Sequence, residues 1–86
     1  MNEIIFIYAD NCLDCERMRI MLYKAKAETK SNYNIKDVNS ETQEAIDIAI
    51  DNGIDDLPAC IIGDTVMYGK RGFTYEKILK AFKELQ

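Results

Sequence analysis

An α/β domain of order β-α-β-α-β-β-α, with a central four-stranded mixed sheet flanked by three helices, is predicted by three observations on the sequence. Four short runs are rich in β-branched and aromatic residues, three longer stretches carry apolar residues at helical spacing, and a Gly-Asp-Thr turn separates the last two short runs. The opening strand-helix-strand unit should cross over right-handedly to make a parallel pair, and the later hairpin should extend the same sheet antiparallel. Helices must then cover both faces. The 86 residues are read as a single domain, 1–86, because a chain of this length buries one modest core and rarely divides further.

Taken in order, EIIFIY at residues 3–8 is a continuous apolar run, which suits a strand buried on both faces. Ala9-Asp10-Asn11 ends it. Met18, Met21, Leu22 and Ala25 then recur at helical spacing among charged residues, predicting a helix from near Cys12 to about Glu28. YNIKDV, residues 33–38, places Tyr33 and Ile35 on one face of a second strand. Ser40 with Gln43 fits a capping box, and Ala45, Ile46, Ala49 and Ile50 form the apolar stripe of a second helix that Gly53 ends. Its other face is acidic. After Leu57-Pro58, ACII and VMY flank Gly63-Asp64-Thr65 as a hairpin. Thr74 caps a last helix whose buried face is Tyr75, Ile78, Leu79, Phe82 and Leu85.

Composition narrows the function. A net charge of -4 without a dense Lys/Arg cluster argues against nucleic acid, which needs a basic face to release counterions. The first residues, MNEIIFIYADN, carry no basic leader and too short an apolar run to span a bilayer, so a cytoplasmic protein with no membrane partner is expected. Three cysteines is an odd count, which excludes a fully paired framework within one chain and favours a reducing compartment. There a CxxC is more often catalytic or metal-binding than a staple.

Cys12 and Cys15 carry the chemistry. A helix N-terminus stabilises a thiolate through its unpaired N–H groups and the macrodipole, and Cys12 is expected at that position. Cys15, one turn later on the inner side, can attack a mixed disulfide formed at Cys12. Cys12 is therefore the expected nucleophile and Cys15 the resolving thiol. The alternative, two small core hydrophobes, loses ground once the strand-to-helix position is counted. Cys60, on an apolar run, reads as a buried structural thiol. A zinc site wants four ligands, and these three cysteines with no histidine fall short, so no metal is expected.

YADNCLDC resembles the aromatic-Ala-acidic-x-Cys-x-x-Cys segment of the thioredoxin/glutaredoxin superfamily, and LPACIIGDTVMYGKRG is similar to its later Pro-hairpin-Gly segment. With the matching element order, the resemblance covers nearly the whole chain and suggests a short, glutaredoxin-like thioredoxin. It implies a thioredoxin-like fold, a redox-active disulfide between Cys12 and Cys15, and a cis Pro58 beside that disulfide. It also implies that the backbone of Leu57 pairs with an extended substrate and that Gly72 lets a partner approach the rim. Leu13 would offer an apolar contact, with Leu57, Lys70 and Phe73 completing an exposed rim. Protein disulfides would be the substrates, with a flavin-dependent thioredoxin reductase or glutathione as the electron source. No bound cofactor is expected, and the protein is read as a monomer.

The sequence departs from the family in places. Leu13-Asp14 replaces the usual Gly-Pro or Pro-Tyr pair. A carboxylate at Asp14, with Glu16 beside it, opposes ionisation of Cys12 and should keep the couple reducing. Arg17 and Arg19 are read as solvated helix-face charges. Phe6 stands where the family places a buried aspartate, leaving Asp10 and Asp14 as the available carboxylates. The YGKRGFT stretch lacks the acidic residue of a glutathione site, which weakens the alternative of a glutathione-linked reductase. A non-enzymatic metal- or partner-binding module on the same fold is the other alternative.

Overall fold

A computed structural model describes residues 3–86. Met1 and Asn2, which begin the segment read as free of a basic leader, lie outside the described residues. The order is β1 (Glu3–Tyr8), α1 (Leu13–Thr29), β2 (Asn34–Asn39), α2 (Gln43–Asn52), β3 (Ala59–Ile62), β4 (Thr65–Tyr68) and α3 (Tyr75–Glu84). The sheet runs β2-β1-β3-β4, with β1 parallel to β2 and the other two pairings antiparallel. The expected α/β architecture is present, including the mixed sheet.

β1 is central, and its side chains divide between two cores because successive residues of a strand point to opposite faces. Ile4 and Phe6 join a cluster with Met18, Leu22, Ile78 and Phe82, contributed by α1 and α3. Ile7 joins the other, with Val38, Ala45, Ile54 and Ala59 under α2. Burying both faces explains the unbroken apolar run of this strand. No helix among the described residues is long and apolar enough to cross a membrane.

Two expectations about α2 are corrected. Its N-cap is Thr42, whose hydroxyl accepts from the Ala45 N–H at 3.2 Å, and not Ser40. Ser40 instead donates its backbone N–H to Tyr8 O at 2.8 Å, continuing the β1–β2 ladder past Asn39. The stripe is also rotated: Ala45, Ile48 and Ala49 face the sheet, whereas Ile46 is 45% and Ile50 74% exposed. On a helix this short two apolar stripes coexist at i, i+3, i+4 spacing, and contact with Val38 and Ile54 selects one of them. The hairpin turn is two residues, Gly63-Asp64, with Thr65 already paired to Ile62. Thr74 caps α3 as expected, its hydroxyl accepting from the Lys77 N–H at 3.2 Å.

Candidate active site

The C-terminal end of β1 places the cysteines. After Tyr8 the chain turns through Asp10 and Asn11, and Asn11 sits in the left-handed region at φ 56°, which asparagine tolerates better than most residues. That reversal delivers Cys12 as the N-cap of α1, with extended backbone. Cys12 Sγ accepts from the Cys15 N–H at 3.1 Å, and Cys12 O from the Glu16 N–H at 3.2 Å. A sulfur held by an N–H of the first turn sits where the helix favours negative charge.

Cys12 and Cys15 form a disulfide, with Cα atoms 5.2 Å apart. Their exposure differs sharply. Cys12 is partly open to solvent, whereas Cys15 is 0% exposed and belongs to the core cluster that holds Phe6, Met18, Cys60 and Phe73. The Ala9 N–H donates to Cys15 Sγ at 3.5 Å. No buried polar or charged side chain occurs among the described residues, so no buried carboxylate neighbours Cys15. Phe6, fully buried, fills the space on the sheet side. Asp10 is exposed in the turn, and Asp14 lies at the surface in the first turn of α1.

Asp14 does not stand free. Its Oδ1 accepts from Arg17 at 2.8 Å, and the same guanidinium lies 4.8 Å over the ring of Phe73. Arg19 pairs with Asp37 on β2 and with Glu16, and stacks 5.0 Å from Phe6 and 5.1 Å from Tyr8. Arg19 is therefore partly covered, which corrects its reading as a solvated charge, whereas Arg17 remains an exposed helix-face charge as expected, with the addition of its pairing to Asp14. Phe73 is corrected as well: only 2% exposed, it lies under Arg17 and not on the rim. Sequence reasoning missed the Asp14–Arg17–Phe73 contact; the i, i+3 acid–base spacing of Asp14 and Arg17 was its one legible signal.

Leu13 is 86% exposed beside the disulfide. The Leu57–Pro58 peptide bond is cis, and Pro58 is buried. Ala59 pairs with Ile7, so Pro58 stands at the same end of the sheet as Tyr8 and the turn into α1. Leu57 is half-buried there. Gly72 has a role inside the chain: a Cβ on it would come within 1.8 Å of Tyr68 O, in a turn closed by the Gly72 N–H donating to Gly69 O at 3.0 Å.

Cys60 is fully buried on β3, opposite Phe6 and Met67. Burial pushes its thiol up to about 12, against a small opposing effect from a hydrogen bond with the Met67 backbone. It is a free thiol enclosed in the core. No group of three or more Cys, His, Asp or Glu side chains that could hold a metal ion occurs among the described residues.

A mixed sheet buried on both faces, a disulfide-linked CxxC at the first strand-to-helix junction and a cis proline opening the third strand together make up a thioredoxin-like fold. Solved structures agree on the fold. The chain is similar to a thioredoxin-like protein from Clostridium perfringens (TM-score 0.76, 22% identity, covering 96% of this chain and 69% of that one). It is also similar to thioredoxin 1 from Thermosipho africanus (TM-score 0.69, 15% identity, 96% and 92% covered). A malarial protein matches with a TM-score of 0.63 at 13% identity, covering 95% and 93%. No protein-family model and no curated protein matches the chain.

Proposed function

We propose that this protein is a small thiol–disulfide oxidoreductase that reduces protein disulfides by dithiol exchange. The observation that carries the reading is the asymmetry of the pair: Cys12 is open and capped by a helix N–H, and Cys15 is sealed behind it. In the dithiol state the Cys12 thiolate attacks one sulfur of a substrate disulfide, forming a mixed disulfide and releasing the first substrate thiolate, which takes up a proton. Cys15 then gives up its proton and attacks Cys12 Sγ, closing the Cys12–Cys15 disulfide and releasing the second substrate thiolate. Two electrons have passed to the substrate. Cys15 reaches only the sulfur of Cys12, so a substrate meets one nucleophile.

The half-buried Leu57 beside cis Pro58, at the end of the sheet that carries Cys12, and the exposed Leu13 next to Cys12 in the chain serve as the contacts for an extended substrate. Asp14 keeps the couple reducing, moderated by its pairing with Arg17. The protein acts in the cytoplasm as a general reductant or as the electron carrier for one enzyme, recycled by a flavin-dependent reductase or by glutathione. Insulin reduction by dithiothreitol tests the core of the reading: the parent chain accelerates it and Cys12→Ser abolishes the acceleration. A Cys12→Ser variant as active as the parent would sink the proposal. Cys15→Ser should hold its substrate as a mixed disulfide stable to gel electrophoresis without reductant.

A further inference from the structure

Charge is divided along this chain in a way that the cysteine chemistry does not use. Seven of its fifteen acids and none of its eleven bases fall between residues 40 and 69. That span builds α2, the connection to Pro58 and the hairpin. α2 covers the face of the sheet opposite α1 and α3. Between α2 and the connection runs an open groove of about 400 Å³. Its floor is Ile7, Ala45, Ala49 and Ile54, and its rim includes Ile46, Asp55, Asp56 and Leu57. Ile50, one turn beyond Ile46, continues the exposed apolar surface along α2. Asp47 and Asp51 lie on the same helix, where Glu44 is paired with Lys36.

The groove opens where the cysteines are. Leu57 precedes cis Pro58, and Ser40 is hydrogen-bonded to Tyr8, so one end of the groove lies at the end of the sheet that carries Cys12. Its volume falls in the range of about 300–1,000 Å³ typical of binding pockets. Its apolar floor suits an aliphatic side chain, and the two carboxylates of its rim, Asp55 and Asp56, favour a cation there over a phosphate or an acid. Lys70 and Arg71 share the adjoining depression with them on the other side. A symmetric pairing of this face with itself in a second copy is disfavoured, because it would set one acidic helix against another.

Resting on the oxidoreductase reading, we propose that this groove docks the partner protein whose disulfide Cys12 attacks, and that it takes a segment with an aliphatic residue flanked by lysine or arginine. The acidic face raises the encounter rate with such a partner, and the apolar floor holds its anchor residue while the disulfide meets Cys12.

The test uses two disulfide-linked peptide dimers identical except for Lys-Leu-Lys or Glu-Leu-Glu beside the cysteine, reduced by the native dithiol protein at low and high salt. The lysine peptide should react about tenfold faster at low salt, with the preference shrinking at high salt. Asp55→Asn/Asp56→Asn should cut its rate about threefold, and Ile46→Ser by a similar factor. Asp64→Asn/Glu84→Gln removes the same charge at a depression by the hairpin turn, at the far end of the sheet, and should change the rate much less. Equal losses from the two charge pairs would show that net charge alone steers, and would overturn the groove, as would an absent lysine preference. Hydroxyethyl disulfide, small and uncharged, should be reduced at the parent rate by every variant. If the parent cannot reduce it, the oxidoreductase reading itself fails, which no change in the groove would produce.

Discussion

Alkylation of the fully reduced protein should sort its three thiols by position. Burial raises Cys60 from an ordinary value of 9.0 to about 12. At about pH 8 a thiol at the ordinary value is roughly one-tenth thiolate, whereas one at the raised value is roughly one part in 10⁴, a difference of about 10³ in the reactive species. Access adds to this, because Cys60 is 0% exposed and iodoacetamide reaches it only through an opening of the sheet. Cys12 has neither handicap: it is partly exposed and capped by the Cys15 N–H. The assay is quenched labelling with iodoacetamide followed by peptide mass spectrometry. Cys12 should label first and Cys15 later, with Cys60 at least about 10³ slower than Cys12. In concentrated guanidinium chloride the three rates should converge. Labelling of Cys60 within tenfold of Cys12 in the folded protein would refute the argument, since both burial and the raised thiol would then have failed to protect it.

Three further outcomes follow from the same geometry. Gly72→Ala forces its Cβ against Tyr68 O and should cost about 3 kcal/mol, or roughly 15 °C in Tm, whereas Gly53→Ala meets no neighbour within 4 Å and should cost only about 1 kcal/mol for its positive φ; equal urea midpoints for the two would contradict the close approach. Asp14→Asn should raise the Cys12 alkylation rate at neutral pH about two- to threefold and make the couple more oxidising in a glutathione redox titration, by removing a like charge beside the thiolate. Because the folded state keeps the Cys60 proton where the unfolded chain has lost it, stability is full below about pH 9 and falls as pH rises toward 12. Urea midpoints measured across that window should fall less steeply in Cys60→Ala. Some slope should remain, because the Tyr75 hydroxyl is also raised, to about 12, by its hydrogen bond to Glu28.

What could be read from the sequence was whatever a local pattern determines. The β1 run, the α1 stripe of Met18, Leu22 and Ala25, the Thr74 cap and the hairpin all follow from spacing within one element. The misreadings share a cause: each depends on a neighbour from elsewhere in the chain. Ser40 and Thr42 are equally good capping residues, and β1 decides between them by taking the Ser40 N–H. Ile46 and Ile50 look as apolar as Ile48, but contact with Val38 and Ile54 chooses the other face of α2. Phe73 sits in a loop beside charges, which suggests exposure until Arg17 from α1 covers it. The cis bond at Pro58 has no local signature and was expected only through resemblance.

The two residues inside CLDC show how position overrides composition. Leu13 and Asp14 occupy successive positions of the first helical turn, so they point in different directions about the axis. Leu13 is presented to solvent next to the disulfide, where an apolar side chain gains nothing from folding and is available to a partner. Asp14 turns back to Arg17, whose guanidinium also rests on Phe73, the residue after Gly72. The tight Tyr68–Gly72 turn, the buried ring after it and the first turn of the cysteine helix are thereby joined by one side chain. Arg17 thus links Asp14, two residues after Cys12, to a loop nearly sixty residues away in sequence. Asp14, the one charge between the cysteines, is therefore partly screened by Arg17, and its effect on Cys12 is smaller than that of an unpaired carboxylate.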